Sequence, residues 1–246
     1  MKFLRLHPQV TTPTTPYHLL RVHSFFRSVA TITSSSGGYT ISEVVSEDHR
    51  ELEAYSHKML GTHDSDTKER YKNQFSWLLA KHAVGEEIVL YPAYEKYLGS
   101  FGKEAADRDR LNYHQTKELL EYFQRLYPDS YEFGPKLREL MVGLRKHIRA
   151  TEDNELPRLE KALKEREHEE GENAAIELAK SFRRTQMFIP TWAHPWMPNK
   201  PPFETVVGFL STPIDQLGDM FRKFPEEADL ERTEEEYMRS QEHKGR

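Results

Sequence analysis

The sequence contains no cysteine among its 246 residues. This absence excludes disulfide bonds, a thiol nucleophile and any metal site that uses thiolate ligands. Long apolar runs are absent as well, since no stretch approaches the roughly 18 consecutive apolar residues that indicate a membrane-spanning helix. The sequence therefore predicts no transmembrane segment.

Valine and isoleucine are scarce, whereas leucine, alanine, glutamate, lysine and arginine dominate the composition. Because β-branched residues favour strands and the dominant residues favour helices, we predict an all-α protein. Histidine is abundant, with 12 residues in the chain. A metal bound by this protein must therefore use nitrogen and oxygen ligands, a donor set that suits iron, manganese or zinc.

The N-terminal 41 residues differ in composition from the rest of the chain. They contain four basic side chains (Lys2, Arg5, Arg21 and Arg27) and no acidic one, and they are rich in serine and threonine. Such a composition is typical of organellar import sequences, so we predict a mitochondrial transit peptide over residues 1–41. The alternative is a disordered N-terminal arm on a cytoplasmic protein.

Apolar residues recur at helical spacing through the rest of the chain, and turn residues separate the segments. The glycines at Gly99 and Gly102 end the second predicted helix, and Pro128 ends the third. A proline-rich segment over 190–202 follows the fifth helix, and Thr212 begins a further one. The first five predicted helices span about 42–60, 67–98, 103–126, 136–164 and 172–187.

Four predicted helices each carry one histidine on the apolar face. These residues are His49, His82, His114 and His147, and they follow one another at intervals of 33, 32 and 33 residues. Long helices joined by short loops pack as antiparallel neighbours. The nearly equal intervals then allow all four imidazoles to reach the same depth of one bundle.

Carboxylates accompany three of these histidines. Glu86 and Glu118 each lie four residues after a histidine, which places both members of each pair on one helix face. Glu152 follows its histidine by five residues, about 140° around an ideal helix, so it shares the site only through a wide approach or a local bulge. The predicted inward stripe of the third helix is Leu111, His114, Glu118 and Tyr122.

A carboxylate within a buried apolar stripe is costly unless it is paired or bound to a cation. The pattern therefore predicts a buried metal site. Seven candidate ligands are too many for one tetrahedral zinc ion and suit two metal ions bridged by carboxylates. None of the four histidines has a glutamate three residues before it, which disfavours a ferritin-like di-iron bundle.

The ordered set Asp48-His49, His82-x3-Glu86, His114-x3-Glu118 and His147-x4-Glu152 resembles the hemerythrin family, most closely its HHE cation-binding branch. The segment from His147 to Pro157 is especially similar, and the segment 199–204 resembles the tail of fungal members. The resemblance covers about 42–163. It implies an up-down-up-down four-helix bundle, followed by a C-terminal helical extension over 164–246.

The resemblance also implies a non-haem di-iron centre with an oxo or hydroxo bridge and an open position for a small ligand such as dioxygen. The bridging carboxylates match Glu86 and Glu152. Glu118 stands where the oxygen-carrying members have a second histidine. We expect its anionic oxygen to stabilise ferric iron, which favours sensing, redox chemistry or iron handling over reversible oxygen carriage. The implied terminal ligands are His49, His82, His114 and His147.

Two other functions are compatible with the sequence: a di-iron oxidase or oxygenase on the same bundle, and a structural or adaptor bundle. The chain has a net charge of −5 despite its basic N-terminus, so we expect no nucleic-acid partner. His57 lies two turns from His49, too far to bind the same centre. Asp48 and Glu155 are predicted to orient ligand imidazoles, and Glu87 is predicted to lie at the surface.

We expect the C-terminal helices to pack on the outside of the bundle. The alternative is a membrane-surface or partner-binding element, because residues 203–224 are apolar on one side and contain Arg222 and Lys223. Protein partners are not identifiable from the sequence.

Overall fold

The structure is a computed structural model that describes residues 39–166, 173–187 and 223–244. Residues 1–38 of the predicted transit peptide, the proline-rich segment and the helix predicted from Thr212 lie outside these ranges. The predictions made for them therefore stay predictions.

The described residues form α-helices and two short π-helical turns, which confirms the prediction of an all-α protein. No strand occurs in the described ranges. The helices follow in the order α1 Ile41–Gly61, α2 Ser65–Gly85, π1 Glu86–Leu90, α3 Tyr91–Gln124, α4 Phe133–Ala150, π2 Thr151–Glu155, α5 Leu156–Glu165, α6 Ala174–Met187 and α7 Glu227–Lys244.

Four long helical rods make up the bundle. The first is α1, and the second runs through α2 and π1 into the start of α3. The chain then breaks at Gly99, whose φ of 61° and ψ of −132° are not helical, so the rest of α3 is the third rod. The fourth rod consists of α4, π2 and α5. The predicted break between the second and third helices is thus confirmed.

Side-chain caps fix the starts of the first two rods. Thr40 and Glu43 form a reciprocal capping box at α1, in which Glu43 Oε2 accepts from the Thr40 amide at 2.7 Å. Asp64 caps α2 by accepting from the Thr67 amide at 2.8 Å. The bundle therefore begins at Ile41, one residue before the predicted boundary.

Both π turns precede a proline. Pro92 and Pro157 each stand two residues after the end of a π turn. Proline lacks an amide hydrogen, and its ring clashes with the carbonyl four residues earlier in a regular helix. A local widening of the preceding turn relieves that clash. The sequence therefore encodes the two π turns, and π turns are frequent at functional sites.

Two apolar clusters fill the bundle, one toward each end. The first is built around Leu52, Phe75 and Leu137, and the second around Ile41 and Leu90. Histidines 49, 82 and 147 fall between the two clusters along their respective rods. A polar layer is thereby enclosed by apolar side chains above and below.

The predicted inward stripe of the third helix is wrong at the three positions whose side chains the structure describes. Leu111 is 68% exposed, Tyr122 is 44% exposed and Glu118 is exposed. The buried face of α3 instead carries Leu120 and Phe123, whose ring lies 4.9 Å from that of Phe133. Successive residues on a helix point about 100° apart. With Leu120 and Phe123 facing the core, the predicted stripe therefore faces solvent.

Helix α6 packs on the outside of the bundle, as expected. Helix α7, in a charged stretch where the sequence predicted no helix, packs there too. Phe182 of α6 lies against Gly85, where an added Cβ would come within 2.7 Å of the ring. Close approach of α6 thus depends on the missing side chain at Gly85. Helix α7 lies along α1 and contacts α2, where Tyr71 and Thr233 join their hydroxyl groups at 2.6 Å.

A search of the described helices found none whose length and hydropathy would allow it to cross a membrane.

The break at Gly99 generates a prediction. The substitution Gly99→Ala should destabilise the protein by about 1–3 kcal/mol, because an L-residue is strained at this φ although no atom obstructs its Cβ. Urea denaturation followed by circular dichroism measures the change. Gly61→Ala is the matched control, since its Cβ also meets open space but its φ is ordinary. Equal midpoints for the two variants would contradict the argument.

Candidate metal centre

Three histidines and one glutamate meet at the level between the two apolar clusters. His49 comes from α1, His82 from α2, Glu86 from the start of π1 and His147 from α4. One ligand atom from each residue lies within 4.8 Å of the others, so the group could hold a metal ion. Among the described residues, this is the one such group of imidazoles and carboxylates.

The imidazole rings are crowded together. The ring centroids of His49 and His82 are 4.8 Å apart, and those of His49 and His147 are 5.7 Å apart. His49 and His82 are each 1% exposed. Nε2 of His49 has no hydrogen-bond partner within the described part of the chain, whereas Nε2 of His82 has only the ion-pair contact with Glu86 Oε1 at 3.5 Å there. A buried imidazole nitrogen without a partner is costly, and coordination to a cation would satisfy it.

Glu86 is the anionic member of the cluster and is 1% exposed. Its Oε1 lies 3.1 Å from His147 Nε2 and 3.5 Å from His82 Nε2. Tyr91 donates a hydrogen bond to the other oxygen, Oε2, at 3.2 Å. The tyrosine thus fixes the carboxylate so that Oε1 points toward the imidazoles.

Two of the imidazoles form hydrogen bonds to carboxylates through Nδ1, the ring nitrogen directed away from the cluster. His82 Nδ1 lies 3.0 Å from Asp48 Oδ2, and His49 Nδ1 lies 2.8 Å from Glu152 Oε1. An ionised carboxylate only accepts, so each Nδ1 carries the hydrogen and donates it. This arrangement leaves Nε2 as the atom of each ring that can bind a cation.

Burial and hydrogen bonding give His49 and His82 different pKa values. Burial lowers the pKa of His49 to about 4, against the opposing effect of the Glu152 hydrogen bond. Burial alone would lower the pKa of His82 too, but the charge of Glu86 and the hydrogen bond to Asp48 outweigh it and raise this pKa to about 9. At pH 7 His49 is therefore neutral and ready to act as a ligand.

The charges of Glu86 and His147 stabilise each other. Burial would raise the pKa of Glu86, but the imidazoles of His147 and His82 hold it well below its usual value. Burial would lower the pKa of His147, but Glu86 and Asp109 raise it well above its usual value. The buried Glu86 carboxylate therefore favours positive charge beside it, whether on the imidazoles or on a bound cation.

The structure places six of the seven sequence-predicted residues, in three kinds of position. Four of them form the cluster: His49, His82, Glu86 and His147. Glu152 lies beside the cluster as the hydrogen-bond partner of His49, with its side chain 35% exposed. Glu118 lies on the exposed face of α3. The side chain of His114 lies outside the described part of the structure.

The predicted supporting residues also have defined places. Asp48 was predicted to orient a ligand imidazole, and it accepts a hydrogen bond from that of His82. Glu155 instead pairs with Arg108 and accepts a hydrogen bond from Thr151 at 3.2 Å. The prediction that Glu87 lies at the surface is wrong, because it is 8% exposed. Its carboxylate pairs with Arg110 at 3.0 Å, a partner on α3 that helix periodicity alone does not reveal.

Sequence reasoning missed four residues around the cluster. Tyr91 stands five residues after Glu86. Pro92, which follows it, was the one sequence feature that marked an irregular helix turn at this point. Asp109 lies 3.9 Å from His147 Nδ1 and is 2% exposed. Arg183 and Gln186 reach Asp48 from α6, and no local pattern predicts a contact over 135 residues of chain.

A buried set of three imidazoles and one carboxylate between the rods of a helical bundle defines a class of proteins, the metal-binding four-helix bundles. The sequence model of the family described as "Hemerythrin HHE cation binding domain" matches residues 40–159. An uncharacterized hemerythrin-like protein of Schizosaccharomyces pombe is 47% identical over 185 residues, which cover 75% of this chain and 88% of that protein. The chain belongs to the hemerythrin-like HHE cation-binding family.

A DNA nickase of Nostoc sp. is also similar, with 28% identity over 127 residues. The match covers 51% of this chain and 35% of the nickase. The nickase activity is therefore a property of that protein and is not assigned to this chain. No solved structure gives a significant match. The matched range 40–159 contains all seven sequence-predicted ligands and ends before α6.

The different places of Glu86 and Glu152 generate a prediction. Glu86→Gln should abolish tight binding of Co²⁺, because it removes the anionic atom of the cluster. Glu152→Gln should weaken binding only about 10–100-fold, as expected for a residue that orients a ligand. Isothermal titration with Co²⁺ measures both affinities. If Glu152→Gln loses the cation as completely as Glu86→Gln, Glu152 is itself a ligand.

Proposed function

We propose that this protein is a non-haem iron protein that binds or senses a small ligand such as dioxygen, or handles iron itself. The observation that carries the proposal is the buried cluster of three imidazoles and one carboxylate. Imidazole nitrogens and a carboxylate oxygen suit Fe²⁺, and the buried Nε2 of His49 has no hydrogen-bond partner among the described residues. Membership of a cation-binding family supports the same assignment.

In this proposal His49, His82 and His147 supply nitrogen ligands through Nε2, and any proton on these nitrogens is released as the cation binds. Glu86 supplies a negative oxygen. Iron bound there would supply a redox-active centre that takes a small ligand where the protein side chains leave a position open. Tyr91 keeps the Glu86 carboxylate turned inward through its hydrogen bond at 3.2 Å. The apolar clusters on both sides keep bulk water away from the imidazoles.

We further propose a second iron ion, with ligands from α3. The sequence offers His114 and Glu118 there, one turn apart. Glu118 is exposed, so the support for this second ion is the resemblance of the sequence motifs rather than the packing of α3. The number of iron ions per chain is therefore measured separately from the presence of iron.

Iron content and the visible spectrum of aerobically purified protein test the proposal. We expect two iron ions per chain, with absorption bands typical of an oxo or hydroxo bridge. His82→Ala should lose the iron, whereas His57→Ala should keep it, because His57 is exposed and contacts Tyr237 of α7. Wild-type protein that takes up no iron, or His82→Ala protein that retains it fully, would contradict the proposed function.

The second iron has its own variant. His114→Ala should lower the iron content from two ions to one per chain, since the four residues of the cluster remain intact. Inductively coupled plasma mass spectrometry gives the ratio of iron to protein. A wild-type protein with a single iron, unchanged by His114→Ala, would show a mononuclear centre and overturn this part of the proposal.

The proposed preference for sensing or redox chemistry over oxygen carriage is tested by oxygen titration. We expect the reduced protein to convert to a stable ferric form after exposure to oxygen. Visible absorption over repeated cycles of oxygen and vacuum follows this conversion. Reversible oxygen binding through many cycles would show a carrier instead.

A further inference from the structure

Helix α6 lies beyond the range 40–159 that the family model matches, yet it contributes side chains to the surroundings of the candidate centre. Phe182 is 0% exposed, Arg183 is 5% exposed and Gln186 is 4% exposed. A buried arginine on a peripheral helix is unusual, because a charged side chain is rarely buried unless it is paired.

Arg183 donates three hydrogen bonds to residues of α1. Its Nη1 donates to Asp48 Oδ1 at 2.6 Å, and its Nη2 donates to Glu47 Oε2 at 2.6 Å and to the Val44 carbonyl at 3.3 Å. A further hydrogen bond from Nη1 to Gln186 Oε1, at 2.9 Å, fixes the glutamine amide. The guanidinium therefore ties α6 to the first rod of the bundle.

Asp48 is the point on which these contacts converge. Its Oδ1 accepts a hydrogen bond from Arg183. Its Oδ2 accepts hydrogen bonds from Gln186 Nε2 at 2.6 Å and from His82 Nδ1 at 3.0 Å. Asp48 is 0% exposed, so no solvent competes for these lone pairs. With both oxygens held from α6, the carboxylate can present Oδ2 to His82 in one orientation only.

The orientation of Asp48 decides which nitrogen of His82 faces the cluster. His82 donates its Nδ1 hydrogen to Asp48 and turns Nε2 toward Glu86, at 3.5 Å from Oε1. The ring of Phe182 adds an edge contact with that of His82 at 6.0 Å between centroids. Helix α6 thus constrains one candidate ligand from both sides.

We propose that Arg183 is a positioning residue of the cation site, acting with Gln186 through Asp48 on His82. The inference rests on the proposed function, since it assigns Arg183 to the same cluster. It makes α6 part of the metal-binding unit rather than an appendage of the bundle. Partners that orient metal ligands typically change the affinity of a site 10–100-fold, so the effect is measurable.

Energetics favour this reading over a purely stabilising role. A buried ion pair gains little net stability over apolar side chains of the same size, because both charges lose their hydration. What the pair does supply is a fixed direction, since the guanidinium donates along defined lines. The direction fixed here is that of Asp48 toward His82.

The test uses Co²⁺ as the probe and compares Arg183→Met with Arg184→Met. Methionine keeps much of the apolar volume of arginine and removes its donors. Arg184 is exposed, and within the described ranges its guanidinium donates to a carbonyl of its own helix, that of Lys180, at 3.3 Å. We expect Arg183→Met to weaken Co²⁺ binding about 10–100-fold and to alter the visible spectrum of the saturated protein. Arg184→Met should match wild type in both measurements.

A double-mutant cycle tests the route through Asp48. If Arg183 acts on the site through this carboxylate, Arg183→Met should have little further effect on Co²⁺ affinity in an Asp48→Asn background. Arg183→Lys, which restores one charged donor, should recover part of the affinity. Additive losses in the double variant would overturn the proposed route.

Two outcomes separate the inference from the proposed function. Wild-type protein that binds neither Fe²⁺ nor Co²⁺ would overturn the proposed function and the inference with it. Wild-type protein that binds Co²⁺ tightly, with an Arg183→Met variant of equal affinity and spectrum, would overturn the inference alone. Should Arg183→Met fail to fold, Gln186→Leu takes its place and is expected to weaken Co²⁺ binding in the same direction.

Hydrogen exchange gives an independent readout. Because coupling between two sites is reciprocal, a cation that needs an oriented His82 should also stabilise the docked position of α6. We therefore expect slower amide exchange over Ala174–Met187 when Co²⁺ is added to the wild-type protein, and no such change in Arg183→Met. Exchange rates in α6 that do not respond to Co²⁺ in wild type would contradict the inference.

Discussion

A carboxylate enclosed by apolar helices must be matched by positive charge, and the centre of this protein is organised around that requirement. Glu86 is 1% exposed and has imidazole nitrogens at 3.1 and 3.5 Å. Without compensation its burial would cost several kcal/mol, a large fraction of the stability of an ordinary domain. The imidazoles of His82 and His147 supply positive charge beside it, and a divalent cation bound there would do so as well.

The rest of the fold serves to hold these groups in register. The prolines that follow each π turn widen the helices beside the cluster, and the break at Gly99 lets the chain return so that α3 closes the bundle. The apolar clusters at both ends make the layer between them a dry place for charge. Helix α6 then adds a second set of buried charges, in which Arg183 and Asp48 neutralise each other and orient one ligand.

Much of this arrangement was predictable from the sequence, for physical reasons. Helical periodicity places His49, His82 and His147 on inward faces, and the four-residue interval fixes Glu86 beside His82. The failures have equally physical causes. Glu118 shares a helix with two competing stripes, and the packing of Leu120 and Phe123 decides which one is buried. The contact between α6 and Asp48 joins segments far apart in the chain, so only the folded structure reveals it.

We propose that three imidazoles and the Glu86 carboxylate bind iron between the rods of the bundle. Crystals of the iron-loaded protein, measured at wavelengths on either side of the iron absorption edge, test it most directly. We expect an anomalous difference peak within bonding distance of Nε2 of His49, His82 and His147 and of a Glu86 oxygen. A peak elsewhere in the molecule, or none in protein shown to contain iron, would contradict it.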